Sequence, residues 1–481
     1  MTIQLRRISY TGIIAFWLIT MAMLLSRHYG IKNFELPSLA GIIPKELYEE
    51  QWMGVYYKGE KIGYSSRKIE RLDSGYRISE LLKMNLIVMG TSKEIETMTN
   101  AYLDSNFILK TFGLSLTSDA IMKIKGMVNG KNLNVTLEAL GTKSEQTILL
   151  RDKLSLNLSL IPEILREGMK PNKKFTMMVI DPATLSQEDV AIEVKGKEQI
   201  MTAGRKQDAF KLNGSFKGIE FFVWLTEKGE VLREESPLGF TLIKESKEDA
   251  MQIGRPSLDL IAQTAVPFNM KLPHDISYLK VKLSGIDFKG LDLNGGRQKL
   301  KGDMLEINKE DISSQLSALS SIPQTEYLKD TMFIQSKNSQ IISLAKKIVK
   351  DEKDILKRAR LIHEWVFRNI EKTPAITIPM ATEVLISRRG DCNEHTTLYT
   401  ALGRAAGIPT RIALGLAYKD GFFYYHAWPE IFIGDWIAID PTLGQFPADA
   451  AHIRLITGDI DRQIQMLSVI GKIKIEGLEY K

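Results

Sequence analysis

The hydrophobic period of this chain changes once. Up to about residue 330 apolar and polar residues alternate, and after about residue 335 apolar residues recur every three or four positions. Strands must therefore build the earlier part, and helices enter only in the last third. Turn signals recur at Lys58-Gly59, Asp73-Ser74-Gly75, Asn129-Gly130 and Lys228-Gly229, combinations that reverse a strand with little strain. Alternation is strict in Leu133-Asn134-Val135-Thr136-Leu137. A curved or two-sided antiparallel sheet over residues 48–252 is the natural outcome. One short helix is expected within it, from Ile161 to Arg166, with Pro162 in its first turn and Gly168 past its end. A second strand group, from Val266 to Ile307, carries Tyr278–Leu283 and the Asn294-Gly295-Gly296 turn. It reads as a small separate β module over 253–330.

In the helical part, Ile355, Ala359, Ile362, Val366 and Ile370 are spaced by three or four, with Asp351 placed to cap. That pattern predicts an amphipathic helix of about five turns. Thr382 opens a shorter helix that ends before Gly390. A third helix spans Asn393–Ala406, buried along Leu398, Leu402 and Ala405, and is stopped by Gly407 with Pro409 beyond it. Strands follow at Arg411–Tyr418, Phe422–Phe432 and Trp436–Asp440, joined through Asp420-Gly421 and Gly434-Asp435. The fold class is α+β: helices and an antiparallel sheet over 335–465, preceded by antiparallel β-rich domains.

Composition removes several functions. The chain has 481 residues with 64 Lys+Arg against 58 Asp+Glu, and no basic block interleaved with aromatics, so nucleic acid is not an expected partner. Its one cysteine, Cys392, excludes an intramolecular disulfide and a multi-cysteine metal site. The six histidines form no HExxH pattern, and no metal or cofactor is expected. At the N-terminus, Ile8–Leu25 is uncharged and mostly apolar and follows Arg6 and Arg7. At about 1.5 Å per residue it nearly matches a hydrocarbon core of about 30 Å. Residues 1–30 read as a membrane anchor or as a cleaved signal peptide, although no small-x-small site follows. Residues 31–47 read as a linker. Arg27 and Lys32 dilute the charge asymmetry, but export is the better reading. The expected location is membrane-anchored, with the soluble domains outside the cytoplasm.

The chemistry centres on Gly390-Asp391-Cys392-Asn393-Glu394-His395, at a helix N-terminus whose unpaired N–H groups favour thiolate. Gly390 removes a side chain where a substrate backbone would approach. A thiolate nucleophile needs a base and the base an orienting group. His426 lies mid-strand and Asp440 ends the next strand. Sheet geometry tests the pairing: a two-residue turn at Gly434-Asp435 makes opposite residue numbers sum to 869 and points Asp440 away from His426. A three-residue loop or a bulge gives 868, which brings Asp440 diagonal to His426 on one face, roughly 7–8 Å apart at the backbone. Pro429, which cannot donate to the ladder, is a plausible site for that irregularity. His395 is the local rival base, though bracing the helix is the more natural role for it and Glu394. His274, His363, His452 and Asp391 read as solvated or capping residues. Tyr424, Tyr425 and Trp428 read either as a peptide groove or, more naturally, as core.

Five blocks in this order resemble the transglutaminase-like superfamily of papain-type cysteine enzymes, in particular its bacterial members with an exported core domain. They are Ala381–Leu385, Arg389–His395, Ala405–Pro409, His426-Ala427-Trp428 and Trp436–Thr442. The resemblance covers residues 350–445. It implies Cys392 as nucleophile, His426 as general base then acid, and Asp440 as the residue that orients His426. It also implies amide acyl transfer through a thioester, on a protein or peptide substrate. Animal members use calcium, but no calcium loop is marked here and no metal is carried over. The alternative is a catalytically silent transglutaminase fold that binds or scaffolds in the cell envelope.

Overall fold

The computed structural model describes residues 50–481, apart from 89, 152–160, 162–163, 166–167, 203, 217–218, 237–238, 256, 313–324, 460–461 and 463. They fall into two compact units that divide between Leu258 and Asp259.

In the first unit, fourteen strands between Gln51 and Glu245 make one antiparallel sheet. The strand Gln51–Tyr57 pairs with Phe240–Glu245, with Trp52 opposite Glu245. From that pair the sheet runs outward as two meanders, one ending at Thr142–Leu149 and the other at Lys174–Ile180. Lys58 and Gly59 both take positive φ, the conformation a two-residue hairpin turn needs. Alternation places one face inside: Leu133, Val135 and Leu137 are buried between exposed or half-buried neighbours. The helix expected at Ile161–Arg166 lies mostly outside the described residues.

The second unit holds the site. The segment read as a small β module forms a four-stranded sheet in the order Gln298–Lys301, Met304–Asn308, Tyr278–Ser284, Lys474–Tyr480. The end of the chain thus returns to pair with it, Leu283 opposite Ile475. The helices are α1 (Ser339–Val349), α2 (Ile355–Asn369), α3 (Ala381–Ser387) and α4 (Cys392–Ala405). Helix α1 was not foreseen. The cap of α2 is Asp354, which accepts from Leu356 N and Lys357 N at 2.8 and 3.0 Å, not Asp351. The strands that follow are β1 (Thr410–Lys419), β2 (Phe422–Phe432), β3 (Trp436–Ala438) and β4 (His452–Thr457). All pair antiparallel, β4 and β2 flanking β1 and β3 pairing with β2.

Trp428, Tyr399, Tyr425 and Phe423 are among the largest fully buried side chains. Burial of Tyr425 and Trp428 removes the peptide-groove reading of that aromatic cluster. The transmembrane-helix reading is also corrected, since no helix among the described residues is long and apolar enough to cross a membrane. The segment Ile8–Leu25 itself lies outside the described residues.

One glycine fixes how β4 docks. Gly415 lies opposite His426 on one side and Arg454 on the other, where the β1–β4 register shifts. A Cβ there would stand 1.9 Å from the Ile453 carbonyl oxygen, and backbone cannot give way as a flexible side chain can. Gly415→Ala is expected to destabilise the chain by about 1–3 kcal/mol, seen as a lower urea midpoint; an unchanged midpoint would refute the tight approach.

Candidate active site

Helix α4 opens with a capping box. Asp391 accepts from Asn393 N at 3.0 Å, and Glu394 Oε2 accepts from Asp391 N at 2.9 Å, so two orphan donors are satisfied reciprocally. Thr377 Oγ1 fixes the other Glu394 oxygen at 2.7 Å. Gly390 serves this cap: a Cβ there would lie 2.4 Å from Glu394 carbons. The space expected for substrate is filled by Glu394.

Cys392 is the first residue of α4 and is fully buried. The main chain of Ala427, the residue after His426, lies close enough to Cys392 to favour its thiolate. Thr396, one turn further along α4, donates through Oγ1 to Ala427 O at 3.1 Å. That bond ties the first turn of α4 to the main chain of Ala427 in β2. The acidity of Cys392 runs opposite to the expected thiolate: burial pushes the thiol well above the ordinary range, and Asp391, Glu394 and Asp440 add to it against the Ala427 main chain.

The β2–β3 register decides whether His426 meets Asp440. Glu430 faces Ala438, Ile431 faces Ile437 and Phe432 faces Trp436, the arrangement in which partner numbers sum to 868. The turn is a three-residue loop, Ile433-Gly434-Asp435, with Ile433 N bonded to Asp435 O at 3.0 Å and Gly434 at φ 103°. Pro429 is not the irregularity, because its carbonyl accepts from Ile439 N at 3.0 Å and the ladder runs through it.

His426 Nε2 lies 2.7 Å from Asp440 Oδ2, with both side chains fully buried. The Nε2 proton faces the carboxylate, so Nδ1 is the ring's basic nitrogen. Burial holds His426 below the ordinary histidine range, outweighing the pull of Asp440. Asp440 Oδ1 accepts from Thr442 N and Leu443 N at 2.7 and 2.9 Å. Burial alone would raise Asp440, but His426 and His452 hold it well below the carboxylate range.

Two histidines read as solvated or capping belong to this cluster. His452 Nε2 is 3.1 Å from Asp440 Oδ2, and its Nδ1 is 3.0 Å from Asp449 Oδ1. His363 Nε2, from α2, is 3.1 Å from the Asp440 carbonyl. His452 was not visible in sequence, since β4 carries no turn signal and its pairing partner is distant in the chain; His363 lies on a helix whose contact with the Asp440 carbonyl spans 77 positions. His395 turns its Nδ1 to the Asp391 carbonyl at 2.6 Å, and burial lowers it to about 4. That nitrogen is committed to the start of its own helix. Asp391 caps, as expected.

His426, Asp440 and His452 place one donor atom each within 4.8 Å of one another, near enough to be weighed as a cation site. The 2.7 and 3.1 Å separations are hydrogen-bond lengths converging on one oxygen. Protons on the two rings satisfy the group without a metal.

Residues 342–441, which hold Cys392, His426 and Asp440, match the transglutaminase-like superfamily core, and the chain carries a domain of that superfamily. An uncharacterized protein of Haemophilus influenzae is 34% identical over 113 residues, which are 21% of this chain and 30% of that protein. The chain thus spans under a third of the curated relative it matches. A putative cysteine protease from Cytophaga hutchinsonii aligns at 18% identity and TM-score 0.28, over 43% of this chain and 85% of that one. A β-barrel-like protein from Brucella abortus aligns at 8% identity and TM-score 0.32, over 41% of this chain and 94% of that one.

The cluster carries a pH signature. His452 is raised to about 9, its bonds to Asp440 and Asp449 overcoming burial. Its stabilisation is complete below the ordinary histidine value near 6.5 and is lost as pH rises through about 9. Asp440 is depressed, so its contribution holds above the ordinary carboxylate value and is lost as pH falls through its lowered one. Urea midpoints across pH should show both losses in the native chain. In His452→Gln the alkaline loss should shrink, by on the order of 3 kcal/mol at most. Identical pH profiles for the two proteins would refute the assignment.

Proposed function

We propose that this protein is a cysteine-dependent amide acyl-transfer enzyme that uses Cys392, His426 and Asp440. The observation that carries the reading is the 2.7 Å contact of His426 with a fully buried, ionised Asp440, beside a thiol at a capped helix start. The finer reading of the fold, a papain-like core with α4 laid on β2, is part of the proposal and draws support from the Thr396–Ala427 bond. A protein or peptide substrate is proposed with it, as is action outside the cytoplasm, the latter on the basic and apolar N-terminal segment alone.

The chemistry follows from the protonation states. Burial raises Cys392 and lowers His426, so the resting pair is thiol and neutral imidazole. As sulfur attacks the amide carbonyl carbon, the thiol proton passes to His426 Nδ1 and a C–S bond forms. Asp440 stabilises the imidazolium so produced. Collapse of the tetrahedral adduct breaks the C–N bond, and the imidazolium proton leaves on the amine. The thioester is resolved by water or a second amine, whose proton goes to His426. The C–S bond breaks, and the proton returns to sulfur. The backbone N–H of Cys392, an orphan donor at the helix start, is the first candidate to hold the oxyanion.

A silent binding fold is the second reading, and one observation favours it: the sulfur is fully buried. Acyl trapping decides between them. After p-nitrophenyl acetate, intact mass is expected to show one acetyl group that hydroxylamine removes and that Cys392→Ala lacks. His426→Ala should slow its formation by about 10²–10⁴-fold. Wild-type protein without a hydroxylamine-labile adduct would leave only the silent fold. Added primary amine that diverts the product marks transamidation, and its failure to do so marks hydrolysis.

A further inference from the structure

We propose that His452 is a positioning residue of this site, a doubly protonated imidazolium that bridges Asp440 and Asp449 and holds the Asp440 carboxylate as acceptor for the His426 Nε2–H. The inference rests on the acyl-transfer reading above.

Counting protons carries it. A carboxylate accepts at roughly four lone-pair sites and donates only when protonated. Asp440 Oδ1 has two donors in place, Thr442 N and Leu443 N, and Oδ2 faces two ring nitrogens, His426 Nε2 and His452 Nε2, at 2.7 and 3.1 Å. Held well below the ordinary carboxylate range, Asp440 is ionised and can only accept from both rings. Asp449 Oδ1 accepts from Ala451 N at 3.0 Å and Oδ2 from Gln445 Nε2 at 2.9 Å, so Asp449 is an acceptor at both oxygens. Each nitrogen of His452 faces one of these carboxylates. Facing two carboxylates that are both held below their ordinary range, both nitrogens donate, and a ring that donates twice is a cation.

The fold secures this ring. Asp449 and His452 are three residues apart at the entry to β4, and Arg297 Nη2 clamps that turn through Ala448 O and Asp449 O at 2.9 and 2.5 Å. The Trp428 ring stands T-shaped to His452 with centroids 5.2 Å apart. The charged or titratable groups around His452 are Asp440, Asp449, His426 at 5.8 Å between rings, and Arg297. His363, Lys372 and Cys392 reach it through Asp440. Together these give His452 two tasks. Its Nε2–H pins Oδ2 in the direction of His426, and its charge keeps the imidazole of His426 from protonating early.

Removing the cation has readable consequences. His452→Gln is expected to slow Cys392 acylation by about 10- to 100-fold and to move the acid limb of its pH profile upward by about one unit. Ester affinity should be unchanged. Ring ¹⁵N signals of the full chain, labelled at histidine, should show His452 protonated at both nitrogens at pH 7.5. If His452→Gln does not fold, Asp449→Asn is read in its place, with the same upward shift expected. A neutral His452 ring, an unchanged rate and acid limb, or acylation abolished by a chelator and restored by zinc would each overturn the proposal. A wild-type protein that forms no adduct fails in a different way: it removes the acyl-transfer reading while the ring signals still report an imidazolium.

Discussion

A carboxylate without exposed surface survives in a protein only if donors replace the water it has lost. Asp440 is such a group, and the elements of the second unit are arranged around it. Strand β2 brings His426, the start of β4 brings His452, and the turn after β3 supplies Thr442 N and Leu443 N. Helix α2 adds His363 on the main-chain carbonyl. Each contact is modest, but removing one would leave a buried charge short of a partner, which costs more than the bond contributes. The position of Asp440 is thus over-determined, and so is the orientation of His426.

Local pattern and one register argument made much of this legible beforehand. The Asp420-Gly421 turn pairs Lys419 with Phe422, and the partner sum of 868 in β2–β3 is a consequence of loop length that sheet pleating makes checkable. What stayed hidden depends on contacts between residues far apart. His452 reads as inert because β4 pairs with β1, distant in the chain, in a ladder whose register shift at Gly415 no local pattern marks. The strand Lys474–Tyr480 closes the sheet of Tyr278–Ser284 across nearly two hundred intervening residues, so no window of sequence reveals it. Sequence alone makes Gly390 an opening for substrate, because only the folded chain shows Glu394 lying against it.

The charge state of Cys392 was the least legible feature, and magnitudes explain why. A helix N-terminus favours an anion by about 0.3–1 kcal/mol, and by up to about 2 in a partly buried setting. Full burial can move a pKa by as much as about 3–5 units, each worth about 1.4 kcal/mol. Asp391, Glu394 and Asp440 add to the opposing side. The sequence displays the helix start and conceals the burial, so the weaker effect was the one in view.

This balance shapes the chemistry proposed for the site. With neutral thiol and neutral imidazole at rest, the proton must leave sulfur as the C–S bond forms, and the ion pair exists only while the substrate is reacting. Developing positive charge on His426 then meets a carboxylate that needs no rearrangement, because its four donors are already in place. His452 sets the limit on that stabilisation. Its cation shares the oxygen that receives the His426 proton donor, so Asp440 is held firmly in place while its pull on His426 is partly neutralised. The imidazole stays uncharged until sulfur delivers the proton, as a general base must.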